Sequence, residues 1–465
     1  MADPTPPETD AVVTVKFVTR LPAELRVPET PIAVPANLTR YGMSQIINHL
    51  LALDPARPFD FLVQGELLRL SLHRQLEARQ LSTETVLEVE YVPAVLPPQP
   101  KEEHPHEDWV SAVAGLGLPS SSGGARGGSK GGKGGGSGGD EPVIASGCYD
   151  GIVRLWRSGE EACSWAAHKG PVQAAAAVAS AAGEGPMLLT AGNDNVARLW
   201  RGLAAAARGG GAPEAAAVLK GHSDTIQDAA ASPDGNLCCT GGWDSRLLLW
   251  RCGDALLAAA EANDEEAGEG GKAGGSKKRK VGANGVAAAQ HVEAPRAELT
   301  GHSQCVAGVS WPAAGTIASC SWDHSVRLWD VGAAASSDTF NHNKAVHCLA
   351  AAPGGEGLVA FGGAEKALRV WDPRQRSGEG LAVRACSSHT DWISAIAWHP
   401  TSAHHIVTAS HDATAKLWDL RAAIPLHTLE GAGDKLLCAA WVGPGTVATG
   451  GADCKLRTAT MEVAQ

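Results

Sequence analysis

The sequence predicts a mainly β protein in which a seven-bladed β-propeller follows a small α+β domain. One observation is a repeat, since six segments begin with an acidic residue and end with a tryptophan six positions later. Another is a change in aromatic usage: all 14 tryptophans lie at or after Trp109, while three of the five phenylalanines precede it. This change indicates two domains that pack independently.

The repeats have the length of propeller blades. Their tryptophans lie 44, 50, 79, 42 and 47 residues apart, and all but the interval of 79 fit the period of WD repeats, about 40–45 residues. A seventh segment, Asp453–Ala459, keeps the acidic residue and loses the tryptophan. The six complete segments are Asp150–Trp156, Asp194–Trp200, Asp244–Trp250, Asp323–Trp329, Glu365–Trp371 and Asp412–Trp418.

The propeller is predicted over residues 106–465, with the first strand of blade one at residues 106–113. Seven is a common number of blades, and a closed ring exposes no long sheet edges. In blade seven, Ala432 and Ala459 stand where the repeat has histidine and tryptophan. We predict that this blade is the least stable one, unless a partner or the adjoining domain covers it. Its outer strand could come from residues 460–465 or from the linker near residues 92–104.

The α+β domain is predicted over residues 11–92. Alternating and β-branched residues indicate strands, and Asn37 or Thr39 can cap a helix that runs to about Leu53. Two strands, a helix and three strands follow one another in the order of a ubiquitin-like β-grasp domain. The predicted strands are 11–19, 32–35, 59–63, 67–72 and 85–92.

Three further segments are predicted to have no fold of their own. Residues 93–105 are Pro-rich and are interpreted as a semi-extended linker. Residues 117–139 are almost all Gly, Ser and Lys, so we expect them to be disordered between the first two strands of blade one. Residues 254–297 run from acidic to basic and are expected to form a second disordered insert, at the edge of the propeller.

Charge and composition limit the classes of function. The net charge is −11 and the pI about 5.9, which argues against strong direct nucleic-acid binding because such binding needs a cationic face. The polar start and the absence of long apolar runs predict no signal peptide and no membrane partner. The 11 cysteines form no C-x-x-C motif and are interpreted as reduced core thiols. We therefore expect a soluble protein in a reducing compartment.

Each WD blade can hold a chain of hydrogen bonds from a tryptophan through a hydroxyl and a histidine to the turn aspartate. In blade four the candidates are His302, Ser319 or Ser321, Asp323 and Trp329. Although the set resembles a catalytic triad, it recurs around the ring, which indicates a structural role. With no nucleotide-binding or hydrolase motif present, the chain is predicted to be no enzyme and to have no catalytic residue. The corresponding residues of blades three and six are His222, Asp244, Trp250, His389, Asp412 and Trp418.

A basic cluster lies within the second insert and comprises Lys277, Lys278, Arg279 and Lys280. Short accessible clusters of this kind are read by nuclear import receptors, whereas the alternative is a solvated run of charge. We interpret the cluster as a nuclear import signal.

Several stretches of sequence resemble a known family. They are FDFLVQGELLRLSL (59–72), STETVLEVEYV (82–92), HEDWVSAV (106–113) and SWDHSVRLWDV (321–331). With a ubiquitin-like domain before seven blades and a basic insert after blade three, the chain resembles the WD-repeat subunit of the PeBoW (Pescadillo–Bop–WD-repeat) complex, the Ytm family. The resemblance covers most of the chain outside the two inserts.

This resemblance implies a non-enzymatic scaffold in biogenesis of the large (60S) ribosomal subunit and in pre-rRNA maturation. The propeller would bind the propeller of a Bop/Erb-type WD protein, which joins Pescadillo on pre-60S particles in the nucleolus and nucleoplasm. The ubiquitin-like domain would dock on the MIDAS domain of the AAA+ ATPase midasin, which releases the complex from the particle. In that family a glutamate of this domain completes the coordination of the partner's Mg²⁺; the matching position is Glu84, with Glu77 in reserve. No cofactor of the chain's own is implied.

Other functions remain open at this point. A notchless-like factor would also dock on midasin, but it would have eight blades. A substrate receptor of a ubiquitin ligase would show no metal dependence in its main contact. A direct RNA binder would need a basic face, and an enzyme would need a non-repeating polar cluster in the central channel. Fold alone does not separate these classes.

Overall fold

The computed structural model describes residues 12–80, 85–117, 143–179, 185–252, 291–355, 357–375, 383–443 and 445–461. These residues form two compact units. The first takes its described residues from 12–98 and 419–426 together with Met461, and the second from 99–418 and 427–460. The predicted fold class, a WD propeller preceded by a small α+β domain, is confirmed.

The first unit is built on a five-stranded sheet. Its elements are β1 (Val12–Val18), a 3-10 turn (Ala23–Leu25), β2 (Ile32–Pro35), α1 (Arg40–Leu51), β3 (Phe59–Val63), β4 (Glu66–Leu67), α2 (Leu72–Ala78) and β5 (Leu87–Pro93). The strand order is β2-β1-β5-β3-β4. Strand β1 runs parallel to β5, and the other neighbouring strands of the sheet are antiparallel. This is the predicted β-grasp topology.

Alternation along the strands of this unit supplies its core. In β1, Val13, Val15 and Phe17 are buried because alternate side chains of a strand point to the same face. Tyr91 packs edge-on against Phe17, and its hydroxyl donates a hydrogen bond of 2.6 Å to the Leu25 carbonyl. The prediction of a strand at residues 67–72 is wrong beyond residue 67, where β4 ends. Leu72 instead begins α2 and is buried together with Leu76 on one face of that helix.

The second unit consists of sheets arranged as propeller blades, and seven such sheets are found within the described residues. Blade one contains β7 (Val110–Leu116), β8 (Val143–Cys148), β9 (Ile152–Arg157) and β10 (Glu160–Ala166). Blade two contains β11 (Val172–Val178), β12 (Met187–Gly192), β13 (Val196–Arg201), the short helix α3 (Leu203–Ala206) and β14 (Glu214–Lys220). Blade three contains β15 (Ile226–Ala231), β16 (Leu237–Gly242), β17 (Arg246–Arg251) and β19 (Ala297–Thr300).

The remaining blades have the same antiparallel order. Blade four contains β20 (Val306–Ala313), β21 (Thr316–Ser321), β22 (Ser325–Asp330) and β23 (Ala335–Asn341). Blade five contains β24 (Val346–Ala351), a 3-10 turn (Pro353–Gly355), β25 (Val359–Gly363), β26 (Ala367–Trp371) and β27 (Val383–Ser387). Blade six contains β28 (Ile393–Trp398), β29 (His405–Ser410), β30 (Ala415–Asp419) and β31 (His427–Leu429). Blade seven contains β32 (Leu436–Gly443), β33 (Thr446–Gly451) and β34 (Lys455–Thr460), with β6 (Gln99–Pro105) as its outer strand.

The position of β6 corrects the interpretation of residues 93–105 as a linker. Residues 99–105 pair antiparallel with β34, so they close the ring and leave only residues 94–98 between β5 and β6. Pro100 and Pro105 are compatible with this strand because an outer edge strand can lack donors on its open side. Of the two sources considered for the outer strand of blade seven, the N-terminal one is used.

The second insert also ends earlier than predicted. Residues 291–293 form β18 (His291–Glu293), which adds in parallel to the outer edge of β14, and β19 already begins at Ala297. An exposed strand edge offers unpaired backbone groups, which explains why a short segment of little apolar character can pair there. The rest of this insert, residues 254–290, and nearly all of the Gly-rich insert, residues 118–139, lie outside the described residues.

Candidate functional site

Blade four shows how the repeated residues interact. The Trp329 Nε1–H donates to Ser319 Oγ at 2.8 Å, and the Ser319 hydroxyl lies 2.7 Å from His302 Nε2. His302 Nδ1 lies 2.9 Å from Asp323 Oδ2, which also accepts the Ser303 N–H at 3.1 Å. A neutral imidazole with its proton on Nδ1 satisfies every member of this chain. Of the two predicted serines, Ser319 is therefore the member of the network.

Three other blades repeat this geometry, with threonine as the hydroxyl. The tryptophan-to-threonine, threonine-to-histidine and histidine-to-aspartate distances fall between 2.7 and 2.9 Å in each. The structure thus brings together all the residues predicted for blades three and six. The networks are Trp200–Thr190–His168–Asp194 in blade two, Trp250–Thr240–His222–Asp244 in blade three and Trp418–Thr408–His389–Asp412 in blade six.

Electrostatics agree with a structural role for these networks. Burial opposes ionisation of Asp323, but hydrogen bonds from His302 and Ser325 outweigh it and hold the pKa of Asp323 below its ordinary value. Burial also lowers the pKa of His389, although the Asp412 carboxylate acts in the opposite direction. A neutral histidine locked between two partners is suited to holding strands together, and its recurrence gives no single blade a distinct chemistry.

Blade five lacks the hydroxyl. Phe361 occupies its place, so His342 Nε2 reaches Glu365 directly at 2.9 Å. Within the described part of the chain, the buried Trp371 Nε1 has no hydrogen-bond partner. The sequence shows this substitution ten residues before Trp371, where the complete blades have serine or threonine.

In blade seven the network is replaced by ion pairs. Asp453 Oδ2 lies 2.6 Å from Arg457 Nη2, and Arg457 Nε lies 3.1 Å from Glu103 Oε1 on β6. Lys455 Nζ reaches Glu103 Oε2 at 2.9 Å. Ala432 and Ala459 leave no histidine or tryptophan to bond. These charges connect β34 with the N-terminal strand β6.

The first strands of all seven blades carry a bulge near the central cavity. In each, the strand register shifts across one residue, and this skipped residue lines a cavity of about 530 Å³. A bulge turns a side chain out of its regular direction, so each blade contributes this position to the lining. The seven residues are Ser111, Gln173, Gln227, Ala307, His347, Ser394 and Leu437.

One carboxylate lines this cavity. Asp228 follows the skipped residue of blade three, at a position where the other six blades have Ala, Gly or Cys. Its carboxylate oxygens accept the N–H groups of Ala229 and Val309, each at 2.8 Å. Burial nevertheless raises the pKa of Asp228 to about 6. Our sequence reasoning missed this residue, although alignment of the first strands by their blade histidines reveals it.

Two predicted sites fall outside the described residues. Glu84 and the basic cluster Lys277, Lys278, Arg279 and Lys280 belong to segments that the structure does not describe. Glu77 is described: it lies on α2 with its side chain 64% exposed, 3.2 Å from His73 Nε2.

The described residues contain no group of three or more His, Cys, Asp or Glu side chains placed to hold a metal ion. All 11 cysteines are free, and nine of them are buried. Among the helices that the structure describes, none combines the length and the apolar character needed to span a bilayer.

A β-grasp domain followed by a ring of structurally repeated WD blades defines the class of WD-repeat proteins with a ubiquitin-like N-terminal domain. Comparison with known families supports this. Residues 13–76 match the NLE (NUC135) domain, and residues 101–157, 214–251, 293–330 and 380–419 match the WD domain, G-beta repeat.

Relatives match almost the whole chain. A "Ribosome biogenesis protein WDR12 homolog" of Chlamydomonas reinhardtii is 47% identical, over 96% of this chain and 97% of that protein. The homolog of Oryza sativa subsp. japonica is 39% identical, over 96% and 95%. "Ribosome biogenesis protein YTM1" of Meyerozyma guilliermondii is 33% identical, over 96% and 94%. The chain therefore belongs to the WDR12/YTM1 family of ribosome biogenesis proteins, which confirms the resemblance seen in the sequence.

Proposed function

We propose that the protein is a non-enzymatic scaffold in 60S subunit biogenesis and pre-rRNA maturation. Its propeller binds the propeller of a Bop/Erb-type WD protein and thereby joins Pescadillo on pre-60S particles. Its β-grasp unit docks on the MIDAS domain of midasin for release from those particles. The observation that carries the proposal is the combination of a β-grasp unit with seven described blades in one chain. Seven blades also favour this function over that of an eight-bladed notchless-like factor.

The repeated networks support the non-enzymatic part of the proposal. In blades two, three, four and six, the hydroxyl of the repeat is bonded to the tryptophan and the histidine of its own blade, and the histidine is bonded to the turn aspartate. A nucleophile needs a free approach for substrate, and these hydroxyls are buried between strands.

The docking on midasin depends on one carboxylate. Mg²⁺ prefers oxygen ligands and binds through only one or two carboxylates in many sites, so a glutamate supplied by the β-grasp unit can complete the partner's coordination. Glu84 is the proposed ligand, three positions before β5. Glu77 provides a matched control, because it lies in the same unit and its side chain is exposed.

The test is binding of the full chain to a midasin MIDAS domain, measured by biolayer interferometry with Mg²⁺ and with EDTA. Wild type and Glu77→Ala are expected to bind in Mg²⁺ and to lose binding in EDTA, while Glu84→Ala binds at least tenfold more weakly than wild type in Mg²⁺. Binding that is unaffected by both EDTA and Glu84→Ala would remove Glu84 as the ligand. No binding of the wild type at all would favour the ligase-receptor function instead. Loss in Glu77→Ala alone would move the ligand to Glu77.

The proposal places the protein in the nucleolus and nucleoplasm. The basic cluster of the second insert would act as its import signal, since a run of four Lys and Arg residues suits an import receptor. Replacement of Lys277, Lys278, Arg279 and Lys280 by alanine in a fluorescent fusion is expected to reduce the nuclear fraction. Restoration by an added heterologous import signal distinguishes lost import from misfolding, and unchanged distribution would contradict the assignment.

A further inference from the structure

Aromatic rings form a continuous row at the central cavity. Trp243, Trp322, His347, Trp392 and His411 succeed one another with centroid distances of 5.0, 6.0, 5.2 and 6.0 Å. All but Trp243 line the cavity. Trp392 is 45% exposed, although a large aromatic side chain is more often buried. Four of the five rings therefore contribute aromatic surface to the cavity lining.

Two polar atoms of this row lack a partner. Trp322 Nε1 and His347 Nε2 are both buried and make no hydrogen bond within the described residues. An indole nitrogen can only donate a hydrogen bond. Because both atoms are buried, the part of these rings that a ligand in the cavity can contact is their carbon surface.

The charges of the cavity lining indicate which kind of ligand the cavity can bind. Among the described residues that line the cavity there is one carboxylate, Asp228, and no Lys or Arg. Burial lowers the pKa of both His347 and His411, which favours their neutral forms. Aromatic faces attract cations through their quadrupole, and the single negative charge of Asp228 acts in the same direction. The cavity thus complements a cation and does not complement phosphate groups.

We propose that the central cavity binds an arginine side chain presented by a peptide segment of a partner protein, with the guanidinium group between the aromatic walls and Asp228. Arginine is preferred to lysine because its planar guanidinium stacks on rings and donates several hydrogen bonds in one plane. This site goes beyond the proposed scaffold function and does not depend on which partners the protein has in ribosome assembly.

The first test uses the full chain and an array of nonapeptides with randomised flanks. The central residue is varied among the 20 amino acids and citrulline, which has the shape of arginine without its charge. Arginine is expected to give the strongest signal, lysine a weaker one and citrulline the background. Equal signals for arginine and citrulline would overturn the proposal.

The second test measures fluorescence anisotropy of the best arginine peptide with three variants. Asp228→Asn and Trp392→Ala are expected to weaken binding at least tenfold, while the control Asp224→Asn stays within twofold of wild type. Asp224 lies in the same blade as Asp228 and does not line the cavity. Unchanged affinity in Trp392→Ala, or an equal loss in Asp224→Asn, would contradict the assignment. Trp392 is exposed, so its variant remains informative if Asp228→Asn fails to fold.

A labelled decauridine RNA serves as a competing probe. We expect no binding of the RNA at physiological salt, because no cation lines the cavity. RNA binding that is lost in Trp392→Ala, together with no binding of arginine peptides, would assign the aromatic row to stacked bases and overturn the proposal.

Discussion

Blades four and seven represent two ways of stabilising the same four-stranded sheet. In blade four a buried chain of hydrogen bonds joins Trp329, Ser319, His302 and Asp323, all from one stretch of sequence. In blade seven, Glu103 instead pairs with Lys455 and Arg457 from the other end of the chain. The ordinary blade is stabilised from within, whereas the closing blade depends on joining two distant segments. The largest expected effects therefore come from separating those segments.

The first prediction concerns truncation of the N-terminal strand. Removal of residues 1–105 eliminates β6, while removal of residues 1–98 keeps it. The six residue pairs of β6 with β34, at about 0.5–1.5 kcal/mol per hydrogen bond, suggest a difference of roughly 3–9 kcal/mol between the two proteins. Urea unfolding measures this difference. Limited proteolysis should locate new cleavage near residues 455–460 in the shorter protein alone, and equal stability of the two would refute closure by β6.

The second prediction compares the hydroxyl positions of the two blades. Ser319→Ala leaves both Trp329 Nε1 and His302 Nε2 buried without a partner, which is expected to cost about 1–3 kcal/mol. Thr449→Ala changes the same position in blade seven, where Ala432 and Ala459 offer nothing to bond. Its cost should be well below that of Ser319→Ala in the same denaturation measurement. Equal losses would mean that the network adds no stability of its own.

The repeat predicted most of the blades because its signals are local. An acidic residue marks a turn, and a tryptophan six positions later lies in the strand that follows this turn. The hydroxyl that bonds the tryptophan lies ten positions before it. The strand β6 was one of two sources considered for the outer strand of blade seven, and the sequence did not decide between them because the pairing partner, β34, is about 350 residues away and the segment has few apolar residues. Asp228 was missed for a different reason. It is unusual only in comparison with the same position of the other six blades, which have Ala, Gly or Cys there, and that comparison requires the first strands to be aligned around the cavity.

The third prediction uses pH to separate the two kinds of blade. Burial lowers the pKa of His389 in the folded protein, so blade six gains stability above the unfolded histidine pKa of about 6.5 and loses it as the pH falls through that range. Blade seven has Arg457 instead, which stays charged. Urea unfolding between pH 5 and 8 measures the free energy of unfolding. The difference in this free energy between wild type and His389→Gln is expected to become smaller as the pH falls.

Thr449→Ala is the control for this titration, because blade seven has no histidine in its network. The difference between wild type and Thr449→Ala should stay constant over the same pH range. A constant difference for His389→Gln as well would indicate that the histidine titrates alike in the folded and unfolded states.

The smallest effect is expected for the ion pairs that connect β6 with β34. Glu103→Gln removes the contacts to Lys455 at 2.9 Å and Arg457 at 3.1 Å while keeping the strand. Because Glu103 is largely exposed and water screens its charge, the loss should be below about 1 kcal/mol. It should diminish in 0.5 M NaCl, where screening acts over only a few ångströms, whereas the loss in Ser319→Ala should not. A large, salt-independent loss would mean that Glu103 positions β6 rather than merely attracting its neighbours.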